Sequence, residues 1–210
     1  MKLYQSVGPN PRVVTMFVAE KGITVERVYV DIMKGENRQP DYLARNPYGH
    51  TPMLELDDGS TIAESTAICE YLEERHPTPP LIGSTPEERA ETRMRVRQVD
   101  QNVVVPAVIG FRGAEGLSLF KDRLLCVPDA ADGAKAMARD GMERLDAGLS
   151  GDWLCGARFT LADILLYCIT EFGAQVGQPI PEGCTNLKAW SARVGARPSA
   201  ALSANPKNGL

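Results

Sequence analysis

The order of predicted elements in the first part of the chain limits its fold more than any other feature of the sequence. Residues 2–6 read as a strand, residues 11–22 as a helix closed by Gly22, and residues 25–32 as a strand with alternating apolar side chains. A strand, a helix and a strand in this order favour a parallel pair joined by a right-handed crossover. This part of the chain is therefore expected to form an α/β domain.

Two more short strands and a helix complete this region. Residues 53–56 and 61–63 read as strands, and Asp57–Asp58–Gly59–Ser60 between them is a strong hairpin signal. A helix is predicted from about Ser65 to Arg75, with apolar residues along one stripe. The full order is βαβ followed by ββα, which is the arrangement of a thioredoxin-like domain.

The character of the chain changes near residue 77. Pro77–Thr78–Pro79–Pro80 is a proline-rich join, and almost everything after it reads as helix. We therefore predict a thioredoxin-like α/β domain at 1–76, a linker at 77–86 and an all-α domain at 87–210.

Two local signals mark the helical part. Its first helix is predicted to run to about Val105, where Pro106 would kink or end it. Thr160–Leu161–Ala162–Asp163 resembles a capping box, with Asp in place of the usual Glu. The helix that follows is apolar on most faces, which predicts that it is the central buried helix of this domain.

Composition excludes several classes of function. The formal charge of the 210 residues is -4, so the chain lacks the basic footprint of a nucleic-acid-binding protein. No apolar run approaches the roughly 20 residues that cross a bilayer, and no signal peptide is apparent, so a cytoplasmic location is expected. The five cysteines form no Cys-x-x-Cys pair and only two histidines are present, so no metal site is predicted.

Two motifs carry a resemblance to a known family. Asn46–Pro47–Tyr48–Gly49–His50–Thr51–Pro52–Met53–Leu54 is followed about ten residues later by Glu64–Ser65–Thr66–Ala67–Ile68. These runs resemble the Asn-Pro-x-Gly-x-x-Pro-x-Leu and Glu-Ser-x-Ala-Ile stretches of the glutathione transferase superfamily. The proline-rich join and the segment Phe159–Ile164 extend the resemblance. The run Glu64–Glu73 is also similar to the bacterial branch of glutathione-dependent β-aryl-ether-cleaving enzymes.

The resemblance implies a function and an assembly. It implies a glutathione transferase of the EC 2.5.1.18 type, a detoxification enzyme in which the glutathione thiolate attacks a small, hydrophobic electrophile. A glutathione-dependent disulfide reductase and a non-catalytic interaction module are the alternatives. Glutathione is the implied co-substrate, and a homodimer is the implied assembly. Tyr48, next to Gly49, would insert into the partner subunit as an aromatic key, and Asp100 would reach the glutathione bound there.

The resemblance also implies a glutathione-binding set, formed by His50, Thr51, Pro52, Met53, Glu64 and Ser65. A cis bond before Pro52 would turn the backbone N–H and C=O of Thr51 outward, where they can pair with glutathione as a strand does. A helix that begins at Glu64 and Ser65 suits the γ-glutamyl carboxylate, and the Glu64 carboxylate can meet the amino group.

Each of these residues also has an ordinary structural interpretation. Pro52 can be a plain loop proline, His50 an exposed loop histidine, and Ser65 an N-cap. Many relatives have lysine at the position of His50, facing the glycine carboxylate of glutathione. Three further residues are candidates for lining the same region, namely Arg12, Lys34 and Gln39.

The residue that activates the thiol is left open among Asn10, Tyr4 and Ser6. Relatives use Tyr, Ser or Cys in the loop after the first strand. The cysteine position of one bacterial branch falls on Asn10, so a mixed disulfide with the enzyme is not expected. Asn10 can instead be a turn residue between two prolines, and Tyr4 can be a packing residue.

The resemblance implies that the helical domain contributes the site for the electrophile. The candidates for its wall are Val108, Phe111, Arg112 and Phe172. An apolar stripe of this kind can equally be plain core.

Overall fold

A computed structural model describes residues 1–207, and the contacts within it divide the chain into two units. The first unit comprises Met1–Ser84 together with the segment from Ala196 onward, and the second comprises Thr85–Gly195. The last three residues of the predicted helical domain, 208–210, lie outside the described residues.

The first unit contains the α/β elements in the predicted order. They are β1 (Lys2–Gln5), α1 (Pro9–Lys21), β2 (Glu26–Tyr29), α2 (Pro40–Leu43), β3 (Met53–Glu55), β4 (Thr61–Ala63) and α3 (Ser65–Arg75). Gly22 ends α1 in the left-handed conformation, with a φ of 63°, as the sequence predicts. The strand predicted at 25–32 is shorter in the structure, and α1 begins two residues earlier than expected.

The four strands form one mixed sheet in the order β2-β1-β3-β4. β1 is parallel to β2, whereas β3 is antiparallel to both β1 and β4. In this register Tyr4 lies opposite Met53, which lies opposite Ala63. The predicted βαβ–ββα arrangement of a thioredoxin-like domain is therefore confirmed.

The core of the first unit lies against the sheet. Leu3 of β1, Leu54 of β3, Phe17 of α1 and Ile68 of α3 are fully buried, and α1 contacts α3. Their burial follows from the apolar stripe of each helix and the alternation of each strand.

A buried ion pair joins the ends of α1 and α3. The Nζ of Lys21 contacts the Glu73 carboxylate, and the two side chains are 0% and 2% exposed. Nothing in the hydrophobic pattern predicts this pair, because charged residues are ordinarily found at the surface.

The second unit is mainly helical, as predicted. Its helices are α4 (Pro86–Val99), a π-helical turn (Asp100–Val104), α5 (Val105–Gly113), α6 (Leu117–Phe120), α7 (Ala131–Gly148), α8 (Leu161–Gln175) and α9 (Thr185–Gly195). No helix among residues 1–207 is long and apolar enough to span a bilayer.

Pro106 does not end the helical path at the point where the sequence predicted a kink or an end. The π-helical turn before it widens the hydrogen-bond pattern, and Val105 donates to the carbonyl of Asp100, five residues back. Pro106 then occupies the first turn of α5, where its missing N–H is tolerated.

The capping box before α8 is present as predicted. Oδ2 of Asp163 accepts from the backbone N–H of Thr160 at 2.9 Å, and Oδ1 accepts from the N–H of Leu154 and the indole of Trp190, each at 2.9 Å. Residues Leu161–Thr170 are buried throughout, so α8 is the buried helix of the second unit.

The last helix groups with the first unit, although the sequence predicted that it would belong to the helical domain. This helix, α10 (Pro198–Ala204), packs against α1. Arg197 forms a bidentate ion pair with Glu20, with both N–O distances at 2.7 Å. The Nε2 of Gln5 also donates to the carbonyl of Pro206 at 2.5 Å. These partners are far apart in sequence, so helical periodicity carried no signal for them.

Candidate functional site

Three segments of the first unit meet at one end of its sheet. β1 ends, β3 begins and β4 ends at this end of the sheet, because Tyr4, Met53 and Ala63 are aligned in register. The loop into α1, the segment before Met53 and the start of α3 therefore leave the sheet side by side.

The segment before β3 presents a free length of backbone. The Thr51–Pro52 peptide bond is cis, Pro52 and Met53 are buried, and Thr51 is half-buried. None of the hydrogen bonds within residues 1–207 uses the N–H or C=O of Thr51. Thr51 thus offers one donor and one acceptor to a strand-like ligand.

His50, the residue before Thr51, is held in place by two hydrogen bonds to its backbone carbonyl. The Tyr42 hydroxyl donates to the His50 C=O at 2.7 Å, and the Asn46 side-chain amide donates to it at 2.9 Å. Burial raises the pKa of Tyr42 to about 12, so its hydroxyl remains a donor at neutral pH. The sequence motif indicated His50 and Asn46, but it gave no sign of the role of Tyr42.

The start of α3 carries the second part of the site. Ser65 is the first residue of the helix, and Glu64 occupies the N-cap position without any side-chain cap. The alternative interpretation of Ser65 as an N-cap is therefore wrong. The first intrahelical bond runs from the N–H of Ile68 to Glu64, so the N–H groups of residues 65–67 are available to an anion.

Glu64 itself has an unusual backbone. Its φ is 69°, and it is the one residue other than glycine with a positive φ among those that the structure describes. A conformation of this kind costs about 1–3 kcal/mol and persists only where the surrounding structure imposes it. Its side chain is exposed, which leaves the carboxylate accessible beside the helix start.

The beginning of α1 supplies the third part. Gly8 precedes the helix with a φ of 114°, and Pro9, Asn10 and Pro11 form its first turn. Since proline has no N–H, Asn10 provides the one backbone donor of these three positions. Its side chain is half-buried, and no hydrogen bond to that side chain occurs within the described residues.

The two other candidates for thiol activation already have partners. The Tyr4 hydroxyl donates to Glu55 at 2.8 Å, and the guanidinium of Arg45 lies 4.6 Å from the centre of its ring. This hydrogen bond from Tyr4, together with Arg45, lowers the pKa of Glu55. Ser6 is buried and donates to the carbonyl of Val30 at 2.6 Å.

The additional candidates for the site, Arg12, Lys34 and Gln39, each contact other residues of the first unit. Arg12 donates to Ala200 and Ser203 of α10 at 3.3 and 3.4 Å. Lys34 is exposed and lies 3.6 Å from Asp31, while the side chain of Gln39 reaches the carbonyl of Gly35 at 3.5 Å. The ring of His50 lies 6.2 Å from that of Tyr48.

The residues predicted for subunit contacts occupy accessible positions. Tyr48 is 74% exposed. Gly49 beside it has a φ of 61°, and a Cβ there would lie 2.9 Å from the carbonyl oxygen of Asn37, so only glycine fits. In the second unit, Asp100 pairs with Arg97 at 3.1 Å.

Three of the four residues predicted to line the electrophile site form an aromatic cluster in the second unit. The rings of Phe111 and Phe172 meet edge to face at 4.9 Å. Phe120, which sequence reasoning missed, lies 6.0 Å from Phe111 and beneath the guanidinium of Arg112. Val108 is half-buried on the same helix as Phe111.

No group of three or more His, Cys, Asp and Glu side chains within residues 1–207 is placed to hold a metal ion. The groups that the site presents are the backbone of Thr51, the starts of α1 and α3, and the side chains of Asn10, Glu64 and Ser65.

A thioredoxin-like unit followed by a mainly helical unit, with these motifs at the sheet end, defines the class of proteins that are built like glutathione transferases. The chain matches the family model described as glutathione S-transferase, N-terminal domain, over residues 7–75. It matches the model for the C-terminal domain over residues 129–198.

Individual relatives agree with this class. Glutathione S-transferase 2 of Saccharomyces cerevisiae is 34% identical over 200 residues, which cover 91% of this chain and 84% of that protein. A solved glutathione S-transferase domain-containing protein of Marinobacter aquaeolei is 39% identical with a TM-score of 0.90, and the match covers 95% of this chain and 99% of that one. The chain belongs to the glutathione S-transferase family.

The resemblance to the β-etherase branch is also found. β-Etherase LigF of a Sphingobium species is 26% identical with a TM-score of 0.82, and the match covers 96% of this chain and 97% of that one.

Proposed function

We propose that the protein is a glutathione transferase in which the glutathione thiolate attacks a small, hydrophobic electrophile. The observation that carries the proposal is the meeting of three sets of available groups at one sheet end. They are the backbone of Thr51, the N–H groups at the start of α3 and the side chain of Asn10.

Each part of glutathione has a chemically matched group in this arrangement. The cysteinyl backbone pairs with Thr51 in the manner of an added strand. The γ-glutamyl carboxylate accepts from the N–H groups at the start of α3 and from the hydroxyl of Ser65, while the exposed Glu64 carboxylate meets the amino group. His50 donates to the glycine carboxylate.

Asn10 activates the thiol in this proposal. A thiol with a pKa near 8.5 needs a shift of about two units, or about 2.7 kcal/mol, to become mostly thiolate at neutral pH. A hydrogen bond to a charged group contributes about 1.5–3 kcal/mol, and the start of α1 adds about 0.3–1 kcal/mol. The amide of Asn10 is chosen because the hydroxyls of Tyr4 and Ser6 donate elsewhere.

Spectroscopic titration of enzyme-bound glutathione tests this assignment. Asn10→Ala is expected to raise the thiol pKa by about one to two units, since this is the shift that one charge-assisted hydrogen bond produces. Asn10→Asp has nearly the same shape but adds a negative charge, so it should raise the thiol pKa further. Tyr4→Phe and Ser6→Ala serve as controls and should leave it unchanged. An unchanged pKa in Asn10→Ala, with a rise of a unit or more in either control, moves the role to that residue.

The class of substrate is tested separately. We expect turnover with a panel of small electrophiles to exceed turnover with a panel of small disulfides, because no cysteine lies in the loop before α1 to exchange with a disulfide. The opposite ranking would favour a disulfide reductase. A protein that is retained on immobilised glutathione but turns over neither panel would be an interaction module.

The proposed assembly is a homodimer in which the exposed ring of Tyr48 packs into the partner subunit. Sedimentation should give about twice the chain mass of 22.8 kDa at micromolar concentration. Tyr48→Ala should shift the distribution toward the monomer, because it removes the buried aromatic anchor of the interface. A wild-type protein that sediments as a monomer would contradict the proposal.

A further inference from the structure

Two buried side chains converge on a single backbone carbonyl beside Thr51. The hydroxyl of Tyr42 and the Nδ2 of Asn46 both donate to the carbonyl oxygen of His50, at 2.7 and 2.9 Å. Tyr42 is 4% exposed and Asn46 is 2% exposed. A carbonyl oxygen has two lone pairs, so these two donors occupy both of its acceptor positions.

The local fold aims both donors at the same point. The N–H of Asn46 donates to the carbonyl of Tyr42 at 2.9 Å, so the two residues lie one helical turn apart, on one face of the turn that follows α2. The ring of Tyr42 is buried with Val30 and Met53 and meets the ring of Tyr4 edge to face at 6.4 Å. The core therefore sets the direction in which the hydroxyl of Tyr42 points.

The two carbonyls that precede that of His50 are held in a similar way. The carbonyl of Gly49 accepts from Nδ2 of Asn37 at 2.6 Å. The carbonyl of Tyr48 accepts from Nη1 of Arg38 at 3.2 Å. Side-chain donors thus hold three successive carbonyls of this loop, and the held stretch ends at His50.

The orientation of the His50 carbonyl fixes the direction of the next N–H. The peptide bond between His50 and Thr51 is trans, and in a planar trans peptide the C=O and the N–H point in opposite directions. Rotation of this peptide plane would need changes in the two dihedral angles that flank it, and the hydrogen bonds to the carbonyl oppose such a rotation. The N–H of Thr51 is therefore held pointing away from Tyr42 and Asn46.

We propose that Tyr42 and Asn46 are positioning residues, which hold the N–H of Thr51 in the direction that pairs with the cysteinyl carbonyl of glutathione. This role rests on the function proposed above, since it requires glutathione to pair with Thr51. A donor that is oriented before the ligand arrives loses less freedom on binding. The two side chains thus contribute to affinity without touching the ligand.

Two ligands separate this role from a general effect on the site. Glutathione has the cysteinyl carbonyl, whereas γ-glutamylcysteamine keeps the γ-glutamyl group, the amide and the thiol but has no carbonyl at that position. In NMR titrations, Tyr42→Phe should bind glutathione roughly threefold to tenfold more weakly than the wild type, which is the effect of one neutral hydrogen bond. Its affinity for γ-glutamylcysteamine should be unchanged, because this ligand offers no acceptor to Thr51.

A second variant and a matched control accompany Tyr42→Phe. Asn46→Ala removes the other donor without adding a charge, and it should also weaken the binding of glutathione alone. Tyr71→Phe removes the hydroxyl of a half-buried tyrosine in α3 and should bind both ligands as the wild type does. The thiol pKa of bound glutathione should be unchanged in Tyr42→Phe, because Asn10 is unaltered.

Each result either supports the role or overturns it. Equal weakening of both ligands in Tyr42→Phe, or unchanged binding of glutathione in both variants, overturns the positioning role alone. A wild-type protein that does not bind glutathione overturns the proposed function and this role with it.

Circular dichroism shows whether each variant is folded, and one measurement needs no variant. In the wild type, the amide proton signal of Thr51 should move downfield on addition of glutathione but not of γ-glutamylcysteamine. If glutathione binds and this shift is absent, the N–H of Thr51 does not pair with the cysteinyl carbonyl and the proposal is overturned, even where a variant fails to fold.

Discussion

Glu73→Gln is expected to destabilise the first unit strongly, because it leaves the ammonium group of Lys21 buried without a counter-charge. The Nζ of Lys21 contacts Glu73 and also donates to the carbonyls of His76 and Pro79, each at 2.6 Å. The Glu73 carboxylate in turn accepts from the N–H of Ile82 at 2.9 Å. One ion pair thus connects α1, α3 and the proline-rich segment that follows α3.

The expected cost follows from the burial of both partners. Removing one partner of a buried ion pair typically costs about 3–5 kcal/mol, since the remaining charge has lost its hydration and its partner. For a chain of this size, each kcal/mol lowers the melting temperature by about 2–4 °C. The variant should therefore melt about 6–20 °C below the wild type.

Thermal melting by circular dichroism measures this effect, with Glu74→Gln as the matched control. Glu74 is the next residue of α3 and is exposed, so its substitution should shift the melting temperature by no more than about 2 °C. Both substitutions remove one negative charge from α3. A difference between their melting temperatures therefore reports the lost ion pair with Lys21 and not the change in net charge.

The double variant Lys21→Met/Glu73→Gln shows whether the pair acts as a unit. Its cost should be smaller than the sum of the two single costs by about 0.5–3 kcal/mol, which is typical of residues in contact. It should not return to the wild-type value, because the carbonyls of His76 and Pro79 lose their donor. A Glu73→Gln melting temperature equal to that of Glu74→Gln would refute the reasoning.

Three further predictions concern the helix starts and the last helix. Ser65→Ala should weaken glutathione binding about tenfold or more, the effect of a hydrogen bond to a charged group. The melting temperature should hardly change, because Ser65 is not an N-cap; calorimetry and melting beside Thr66→Ala check both. Asp163→Asn should lower the stability to urea by about 2–4 kcal/mol, as followed by tryptophan fluorescence, because an amide cannot accept from both sets of buried donors. Burial raises the pKa of Glu20. The hydrogen bonds from Arg197 and Ser199 and the charge of Arg197 together lower it by more, so the net pKa lies below its usual value of 4.5. The stability that Glu20 contributes is then present above that value and lost as the pH falls through the folded pKa. The protection of α10 against hydrogen exchange, corrected for the intrinsic rate at each pH, should therefore fall in acid and should already be low at pH 7 in Glu20→Gln.

Local signals in the sequence determined which elements form. Gly22 predicted the end of α1, the run from Asp57 to Ser60 predicted the β3–β4 hairpin, and Thr160 with Asp163 predicted the start of α8. Each signal lies within a few residues of the structure that it specifies, because caps, turns and periodicity depend on near neighbours. The family motifs likewise identified the segments that meet at the sheet end.

Only the tertiary structure decided which of these residues can act. The sequence does not show whether the hydroxyls of Tyr4 and Ser6 are available. In the structure they donate hydrogen bonds to the Glu55 carboxylate and to the carbonyl of Val30. The sequence also gave no warning that a π-helical turn would carry the helical path past Pro106.

The remaining features depend on residues that are distant in the chain. The pairing of Lys21 with Glu73 and the packing of α10 on α1 both join separate elements. Their sequence neighbours carry no trace of these contacts, because burial and hydrogen-bond partners are set only when the chain closes on itself. The sequence by itself therefore determined the elements and the family, whereas the tertiary structure decided which polar groups remain free to bind a ligand.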